Sequence, residues 1–511
     1  MKKAQILDCT LRDGGYYTDW DFNDNIVTTY LNGLNNLPID YIEIGYRSKP
    51  TKEYQGKFGY TPVYVLQQIR QLSKKKIAVM LNEKSTLPED LNQLTEPIKE
   101  FVDMVRIAVA PKNLQRAIKL AKAVKEQGFE VAFNIMYMST WDEYENFYEQ
   151  LKELNGIVDI VNMVDSFGGV LPDDVTTIVN KLRQSVSCKI GFHGHNNLQM
   201  SLINTLTAIN CGVDSVDCTI LGMGRGAGNL NTELLLTCLS KCGLEVNFNN
   251  LGNVITAFTS LYEKFRWGTS LPYMLSGAYS IPQKDVMEWV QNRVYTLNNI
   301  VRALDNRRFK QKDNARYPVF EQRNPSEAII IGGGESVMEH ITAIIKYAIE
   351  NDVSLIFATS RYAALFNDCD NRKYFVLVGN ESKRFESNIC DRESFTGTCI
   401  LPPYPRLMGT DVPPFAQPFT YELAKIDFTD NYLDSCTTVA LQTAICLGAE
   451  KVRVVGYDGY MGSVLSEKET KLTMENRAIF LDFKNFSKND IVSLSKTLYQ
   501  ELTVKSIYQF L

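Results

Sequence analysis

The sequence predicts an α/β protein in which a (β/α)₈ TIM barrel is followed by a second, Rossmann-like α/β domain. Eight apolar, β-branched runs recur at fairly regular spacing through the first 230 residues. Segments with helical spacing of apolar residues separate these runs. After residue 325 the alternation of strand and helix starts again with a glycine turn. Near-continuous apolar strands that alternate with helices indicate a parallel sheet buried on both faces.

The strand–helix units of the first half are regular enough to be followed in order. The segment Asn113 to Gly128 is typical of the helices, because its apolar residues lie near helical spacing and its terminal glycine suits a C-cap. Eight units favour a closed barrel, with a doubly wound sheet as the alternative. The predicted strands are AQILDCT, YIEIGY, KIAVML, MVRIAVA, FEVAFNIM, DIVNMVDS, KIGFHGH and SVDCTILG.

The second half predicts a different arrangement. Residues Asn231 to Asp305 are helical in pattern and rich in aromatics, so we expect helices that cover the barrel. The charged stretch from Asp305 to Ser326 breaks the periodicity and predicts a linker. The expected domains are therefore a barrel over 1–305, a linker over 306–325 and a Rossmann-like domain over 326–511. In the last domain the sequence predicts strands at EAIII, SLIFATS, YFVLVGN and KVRVVGYD.

Composition excludes several classes of protein. The net charge is −5 and no long basic run occurs, so nothing indicates a nucleic-acid partner. No window approaches the roughly 18 apolar residues of a membrane span, and the first residues reach charged positions before a signal-length segment develops. Eleven cysteines are scattered without CxxC pairs, which fits free thiols in a reducing compartment. We therefore expect a cytoplasmic protein without a membrane partner.

Two histidines mark the end of the seventh predicted strand. Residues two apart on a strand face the same way, so His193 and His195 both point into the mouth of the barrel. The alternative is a pair of core histidines, but the chain has three histidines in all and two share this strand end. A metal site then needs an anionic ligand. If the first and seventh strands are near neighbours, Asp13 supplies it, and Arg12 offers a fixed cation for a developing oxyanion.

Three motifs in this order, LDCTLRDGG, GFHGHNN and LGMGRGAGNLNTE, resemble a known superfamily of metal-dependent lyases and synthases. It includes 3-hydroxy-3-methylglutaryl-CoA lyase, isopropylmalate synthase and 4-hydroxy-2-oxovalerate aldolase, and the last is the most similar. The resemblance covers roughly residues 1–300. It implies a divalent metal held by Asp13, His193 and His195, with Asn229 as a further ligand or neighbour. It also implies that Arg12 stabilises an enolate oxygen and that Ser166 binds a substrate carboxylate.

The same resemblance implies further cofactors and partners. The mixed nitrogen and oxygen ligands favour Mg²⁺ or Mn²⁺ without excluding Zn²⁺ or Co²⁺. The substrates are a 2-oxo acid and an aldehyde, and an aldehyde dehydrogenase is a partner that follows from family resemblance alone. Assembly as a homo-oligomer stays open.

This sequence departs from the aldolases at the residues that transfer protons. The aldolases have a histidine shortly after Arg-Asp-Gly, and the acyl-CoA synthases have an acidic residue and a glutamine there, whereas this chain has Gly15, Tyr16 and Tyr17. Proton transfer then falls to Tyr16, Tyr17, Glu43 or water on the metal. For the tyrosines, an aromatic wall of the pocket is the competing interpretation.

Phosphate binding is a second interpretation to consider for two glycine-rich segments. GMGRGAGN lacks the Gly-Lys-Ser/Thr of a P-loop. We therefore expect its glycines to let the backbone pass close to the metal. Arg225, which lies among them, is expected to contact an anionic group of the substrate. In the second domain, Gly332, Gly333 and Gly334 lie between a strand and a helix, where backbone N–H groups can bind a nucleotide phosphate. Asp458 ends a later strand of this half, which faintly resembles bacterial sialyltransferase-like and pterin-diphosphokinase-like domains. A structural or oligomerising role for this domain is the alternative.

The leading hypothesis is therefore an aldolase that acts on a 2-oxo acid through a metal-stabilised pyruvate enolate. One alternative is an acyl-CoA-condensing synthase of the isopropylmalate type. The other is a degenerate barrel that serves as a scaffold for a C-terminal nucleotide-dependent transferase. The intact set of Arg12, Asp13, His193 and His195 favours an active barrel over the scaffold.

Overall fold

A computed structural model describes residues 4–292, 295–313, 315–324, 327–389, 395–461, 466–487 and 491–511. The chain divides into two compact units, Met1–Glu288 and Trp289–Leu511. The expected domain limits of 1–305, 306–325 and 326–511 stay predictions.

The first unit is a closed barrel of eight parallel strands. Each strand pairs with the next, and β8 pairs with β1, so the sheet has no edge. This confirms the predicted barrel, and the alternative of a doubly wound sheet is wrong. The strands are β1 (Gln5–Asp8), β2 (Tyr41–Tyr46), β3 (Lys76–Asn82), β4 (Met104–Val109), β5 (Glu130–Ile135), β6 (Ile160–Asp165), β7 (Lys189–Gly194) and β8 (Ser215–Cys218).

The first and seventh strands are near neighbours in the closed barrel, as expected. β1 pairs with β2 and β8, and β7 pairs with β6 and β8, so β8 lies between them. The segment that follows β1 nevertheless extends over the mouth of the barrel. It forms a short helix, Thr10–Asp13, in which all four residues are buried.

Fourteen helices precede residue 293 in the described part of the chain. The predicted helix from Asn113 is present as Leu114–Glu126, and Gly128 after it has a φ of +92°, a left-handed conformation that favours glycine. The helices are α1 (Thr10–Asp13), α2 (Gly15–Thr18), α3 (Asp24–Leu34), α4 (Lys57–Tyr60), α5 (Val63–Leu72), α6 (Leu91–Leu94), α7 (Leu114–Glu126), α8 (Phe147–Gln150), α9 (Pro172–Ser185), α10 (Ser201–Asn210), α11 (Thr232–Lys241), α12 (Phe248–Phe265), α13 (Leu271–Ala278) and α14 (Gln283–Asn292).

The barrel has two apolar regions. A large core joins the outward faces of the strands to the helices and includes Ile42, Phe133 and Trp141. A smaller cluster inside the barrel includes Leu7, Cys9, Tyr41, Ala78, Met104, Ala132 and Ile160. The interior is therefore packed with side chains, and the polar groups described below lie at its carboxyl end.

The second unit contains a parallel sheet in the order β13-β12-β11-β10-β9-β14-β15-β16. This parallel α/β arrangement agrees with the predicted Rossmann-like domain. The strands are β9 (Glu327–Ile331), β10 (Ser354–Phe357), β11 (Lys373–Val376), β12 (Thr398–Leu401), β13 (Thr420–Glu422), β14 (Lys451–Val455), β15 (Val492–Ser493) and β16 (Thr503–Val504). The helices are α15 (Leu297–Arg308), α16 (Ser336–Glu339), α17 (Ile341–Glu350), α18 (Glu381–Asn388), α19 (Cys436–Leu447) and α20 (Glu467–Phe486).

The four strands predicted in this half are all present, and β12, β13, β15 and β16 are additional. β13, β15 and β16 have three residues or fewer, which is too short for a periodic pattern to reveal. Two apolar clusters cover the two faces of the sheet, with Val439 in one and Ile344 in the other. Among the described residues, no helix is both long and apolar enough to cross a bilayer.

Candidate metal centre at the carboxyl end of the barrel

Side chains from three distant motifs meet at the mouth of the barrel. His193 Nε2 lies 3.6 Å from Asp13 Oδ2. Asn229 Nδ2 donates a hydrogen bond of 2.7 Å to the same carboxylate oxygen. The ring centroids of His193 and His195 are 5.0 Å apart. The structure therefore brings together all four residues that the sequence predicts as metal ligands.

Neighbouring groups orient both imidazoles. His193 Nδ1 lies 2.9 Å from Asp217 Oδ2, and His195 Nδ1 lies 2.7 Å from the backbone oxygen of Asp165. Because each of these partners accepts a hydrogen bond, each Nδ1 is the donor, and Nε2 is the atom that can face a metal. A carboxylate or carbonyl behind the imidazole is the usual support of a metal-binding histidine.

The electrostatics keep the donor groups in the protonation states that a metal needs. Burial, together with the neighbouring His193, lowers the pKa of His195 to about 4, so this ring is neutral at pH 7. Burial by itself raises the pKa of Asp13, but Arg12 and the two histidines outweigh it and hold the pKa below its usual value. Asp13 is therefore an anion at neutral pH.

Cys9 is a neighbour of this cluster that the sequence reasoning did not find. Ligand atoms of Cys9, Asp13 and His193 all lie within 4.8 Å of one another, and all three residues are buried. Burial raises the pKa of the Cys9 thiol, so without a cation it is neutral. A cation lowers a thiol pKa, and a sulfur ligand favours Zn²⁺ or Co²⁺ over Mg²⁺.

The residues present fit a divalent metal. The set combines a carboxylate, two imidazoles with free Nε2 atoms and a thiol. In addition, Asn229 Oδ1 is buried and has no hydrogen-bond partner among the described residues. A buried acceptor without a partner is costly, and a cation would satisfy it.

A chain of buried charges connects the predicted oxyanion donor to the metal ligands. Arg12 pairs with Asp13 and, through Nε at 2.9 Å, with Glu43. Arg106, which is 0% exposed, pairs with the same oxygen of Glu43 at 3.0 Å and also with Asp217. Burial raises the pKa of Asp217, but Arg106 and His193 outweigh it and lower this pKa to about 2. Arg106 thus connects Asp217, which bonds to His193, with Glu43, which pairs with Arg12.

The two predicted tyrosines differ in their surroundings. The Tyr16 hydroxyl lies 3.2 Å from the Tyr46 hydroxyl, and the Arg225 guanidinium stacks 3.9 Å from the centre of the Tyr16 ring. The Tyr17 hydroxyl instead donates to the backbone oxygen of Gly226 at 3.1 Å, and burial raises its pKa. Tyr17 is therefore a wall residue, whereas Tyr16 has a cation over its ring.

Ser166 lies directly after Asp165, the residue whose carbonyl oxygen orients His195. Its Oγ accepts a hydrogen bond of 2.8 Å from the Tyr137 backbone N–H. Tyr137 has a φ of +58°, an unusual conformation for a tyrosine, and its ring lies 5.0 Å from Phe167. Ser166 is thus held near the histidine pair. The predicted Gly332, Gly333 and Gly334 belong to the second unit and are treated separately.

Known proteins are similar to this chain over about half of its length. The family model described as HMGL-like matches residues 98–256. The 4-hydroxy-2-oxovalerate aldolase of Geobacillus thermodenitrificans is 32% identical over 253 residues, which are 47% of this chain and 70% of that enzyme. The chain belongs to the HMGL-like family.

Two further proteins are similar to this chain. The oxaloacetate decarboxylase of Mycobacterium tuberculosis is 29% identical over 241 residues, which cover 47% of this chain and 70% of that enzyme. The crystal structure of the N-terminal domain of a Bacteroides vulgatus protein, provisionally assigned as an aldolase, is 61% identical with a TM-score of 0.56. It covers 58% of this chain and 99% of that domain. The names aldolase and decarboxylase both denote lyases that break a carbon–carbon bond.

The residues that sequence reasoning missed in this HMGL-like site left weak signals. Arg106 is a charged residue in the middle of the apolar run MVRIAVA, which is unusual for a strand buried on both faces. Asp217 occupies the same kind of position in SVDC. A search for ionisable residues inside apolar runs would have found both, but it would not have shown which groups they pair with.

Proposed function

We propose that this chain is a divalent-metal-dependent lyase that cleaves a carbon–carbon bond of a 2-oxo acid and releases pyruvate. The observation that carries the proposal is the convergence of Asp13, His193, His195 and Asn229 next to the guanidinium of Arg12. The names of the aldolase and decarboxylase relatives support the same reaction class.

Cleavage of a 4-hydroxy-2-oxo acid breaks one carbon–carbon bond and moves two protons. The bond between C3 and C4 breaks, its electrons form an enolate across C3, C2 and the 2-oxo oxygen, and the C4 hydroxyl loses its proton as the aldehyde forms. The enolate then takes a proton at C3 and becomes pyruvate. A bound divalent metal supplies polarisation of the 2-oxo group and stabilises the charge that develops there.

Arg12 has the position of an oxyanion donor in this reaction. Its Nε is held by Glu43 and one terminal nitrogen is held by Asp13, so the guanidinium is fixed before substrate arrives. Fixed donors of this kind stabilise developing charge without reorganisation. Arg225 and Ser166 would bind the substrate carboxylate, with Arg225 anchored on the Tyr16 ring.

Two groups are suited to take the C4 hydroxyl proton. The Tyr16 hydroxyl contacts the Tyr46 hydroxyl, and the Arg225 guanidinium stacks on the Tyr16 ring. Glu43 is 0% exposed and uses only Oε2 in its ion pairs, while its Oε1 has no hydrogen-bond partner among the described residues. Comparison of Tyr16→Phe with Glu43→Gln assigns the role, because only loss of the base removes the corresponding limb of the pH–rate profile.

Decarboxylation of a 2-oxo diacid is a second candidate. It forms the same enolate, but no hydroxyl proton has to be removed. The two barrel histidines are both in the metal cluster, so neither is left to act as a base. This arrangement suits decarboxylation at least as well as aldol cleavage.

One assay distinguishes the candidates. The purified protein is analysed for metal content and then screened for pyruvate by coupling to lactate dehydrogenase, with 4-hydroxy-2-oxo acids in one arm and oxaloacetate in the other. The His193→Ala variant corrects for spontaneous and free-metal decarboxylation. We expect pyruvate in at least one arm and its loss after chelation. Absence of pyruvate from both arms in the metal-loaded protein would overturn the proposal.

A further inference from the structure

The strand order of the second sheet reverses at β9, the position where an open parallel sheet is expected to form a binding crevice. β9 lies between β10 and β14, and the chain builds the sheet outward from β10 to β13 before it returns to β14 on the other side. In open parallel sheets, ligands bind outside the carboxyl ends of the strands at such a reversal. Here those ends are followed by Gly332–Gly334 and by Gly456–Asp458.

Two of the three consecutive glycines are required by packing, and one is not. A Cβ atom at Gly332 would lie 2.5 Å from the backbone oxygen of Gly456, and one at Gly334 would overlap the Asp458 carboxylate. At Gly333 the nearest described atom would be the Thr359 methyl at 3.4 Å, an ordinary contact, and its φ lies outside the left-handed region. The fold would therefore accept alanine at residue 333. A bare backbone there suits the close approach of a ligand.

Two arginines lie beside Gly333. Arg361 is exposed and donates a 2.7 Å hydrogen bond to the Gly333 backbone oxygen, and no ion pair joins it to a carboxylate among the described residues. Arg384 donates a 3.0 Å bond to Thr359 Oγ1, next to the same glycine, and pairs with Glu381 at 2.7 Å. Guanidinium groups match the geometry of phosphate oxygens.

Buried hydroxyls without partners occur at the same end of the sheet. Glu381 accepts hydrogen bonds of 2.6 Å from the Ser360 N–H and hydroxyl, which ties the start of α18 to the end of β10. Ser382 Oγ, in the first turn of α18, is buried and has no hydrogen-bond partner among the described residues. The same holds for Thr438 Oγ1, in the first turn of α19.

The first turns of α18 and α19 follow β11 and β13, so both lie at the carboxyl end of the sheet. Unpaired backbone N–H groups at the starts of helices attract anions, and a buried hydroxyl without a partner calls for a bound group.

We propose that this crevice binds the phosphate group of a phosphorylated small molecule. Arg361 and Arg384 contact the phosphate, and the bare backbone of Gly333 lets it approach. A nucleotide and a phosphorylated metabolite share this chemistry. The proposal does not depend on the reaction of the barrel.

The test is calorimetric titration of the full chain with inorganic pyrophosphate, with each ribonucleoside triphosphate and with a sugar phosphate. We expect saturable binding of at least one of them at about one per chain, with a Kd below about 1 mM. Preference for one triphosphate over pyrophosphate identifies a nucleotide, and preference for the sugar phosphate identifies a metabolite. No binding of any of these compounds would overturn the proposal.

Variants locate the site. Arg361→Gln should weaken binding by about tenfold or more, because a charge-assisted hydrogen bond is lost. Gly333→Ala should weaken binding with an unchanged melting temperature, which a merely structural glycine would not do. The matched control is Arg372→Gln, since Arg372 pairs with Asp352 at the amino ends of the strands. Wild-type affinity in both Arg361→Gln and Gly333→Ala would contradict the assignment. Pyruvate release by the barrel should be unchanged in every variant, so failure here is separate from failure of the lyase proposal.

Discussion

At the scale of single residues, the candidate metal centre depends on how each imidazole is held. His193 bonds to the carboxylate of Asp217, whereas His195 bonds to a backbone carbonyl, so different groups orient the two rings although both present Nε2. A carboxylate behind a histidine makes it a stronger metal ligand. His193 should therefore contribute more to metal affinity than His195.

We expect His193→Ala and His195→Ala to lose bound metal and activity together, while the fold survives. Neither histidine belongs to the apolar core that joins the strands to the helices. Metal affinity should fall by about 100-fold or more, measured by elemental analysis and competition with a chelating dye. The matched control is His340→Ala, because His340 lies in the second unit and bonds to Tyr508. Full metal occupancy in both barrel variants would refute the site.

Arg12→Lys should keep the metal and reduce turnover by about 10²-fold or more, the scale of losing a preorganised donor. A guanidinium can bond to Asp13 and Glu43 and still present a further N–H, whereas an ammonium cannot keep that geometry. The measurements are kcat from the pyruvate assay and metal content on the same preparation. Wild-type kcat in this variant would reduce Arg12 to a structural role.

At the scale of elements, β4 carries a charge into the interior of the barrel. Arg106 Nε donates to Asn134 on β5 at 3.1 Å, and the two terminal nitrogens reach Glu43 on β2 and Asp217 on β8. One side chain therefore connects four strands around the barrel. Such a buried network is costly to break, because each remaining carboxylate would lose a partner where water cannot replace it.

Arg106→Met should lower the free energy of unfolding by about 3 kcal/mol or more, measured by urea denaturation with and without metal. It should also weaken metal binding, since Asp217 would no longer be held in place behind His193. Arg70→Met is the control, because Arg70 pairs with a partly exposed Asp103 and such pairs contribute about 0–1 kcal/mol. Equal stability losses in the two variants would contradict the network interpretation.

At the scale of the whole molecule, each unit has a core of its own. The barrel core lies between strands and helices, and the second sheet has a cluster on each face. The second unit also includes residues of the predicted linker. Phe320 belongs to one of its clusters, and Asp313 pairs with Arg406 at 2.9 Å.

A fragment of residues 1–288 should fold and bind metal, because it contains all eight strands of the barrel and every candidate ligand. A fragment of residues 289–511 should also fold, without metal, because it keeps α15, where Arg302 pairs with Asp411. A version that begins at residue 324 should melt at a lower temperature, since it lacks Phe320 and Asp313, a partner of Arg406. Circular dichroism and metal analysis check these outcomes. If neither 1–288 nor 289–511 is soluble, the separation into independent units is refuted.

The sequence by itself determined the barrel and the place of its chemistry. Apolar periodicity reports which residues are buried, and in any parallel barrel the strand ends meet at one rim, so Asp13, His193 and His195 could be grouped before their distances were known. The two-residue strands of the second sheet carried too little pattern to be found.

Only the tertiary structure decided which interior groups touch. That Arg106 joins Glu43 to Asp217, and that Cys9 lies beside Asp13, depends on strand tilt and register, which are set by packing between residues far apart in the chain. The same holds for the second unit. Three identical glycines look alike in the sequence, but the neighbours brought by β14 and β10 show that packing requires Gly332 and Gly334 and does not require Gly333.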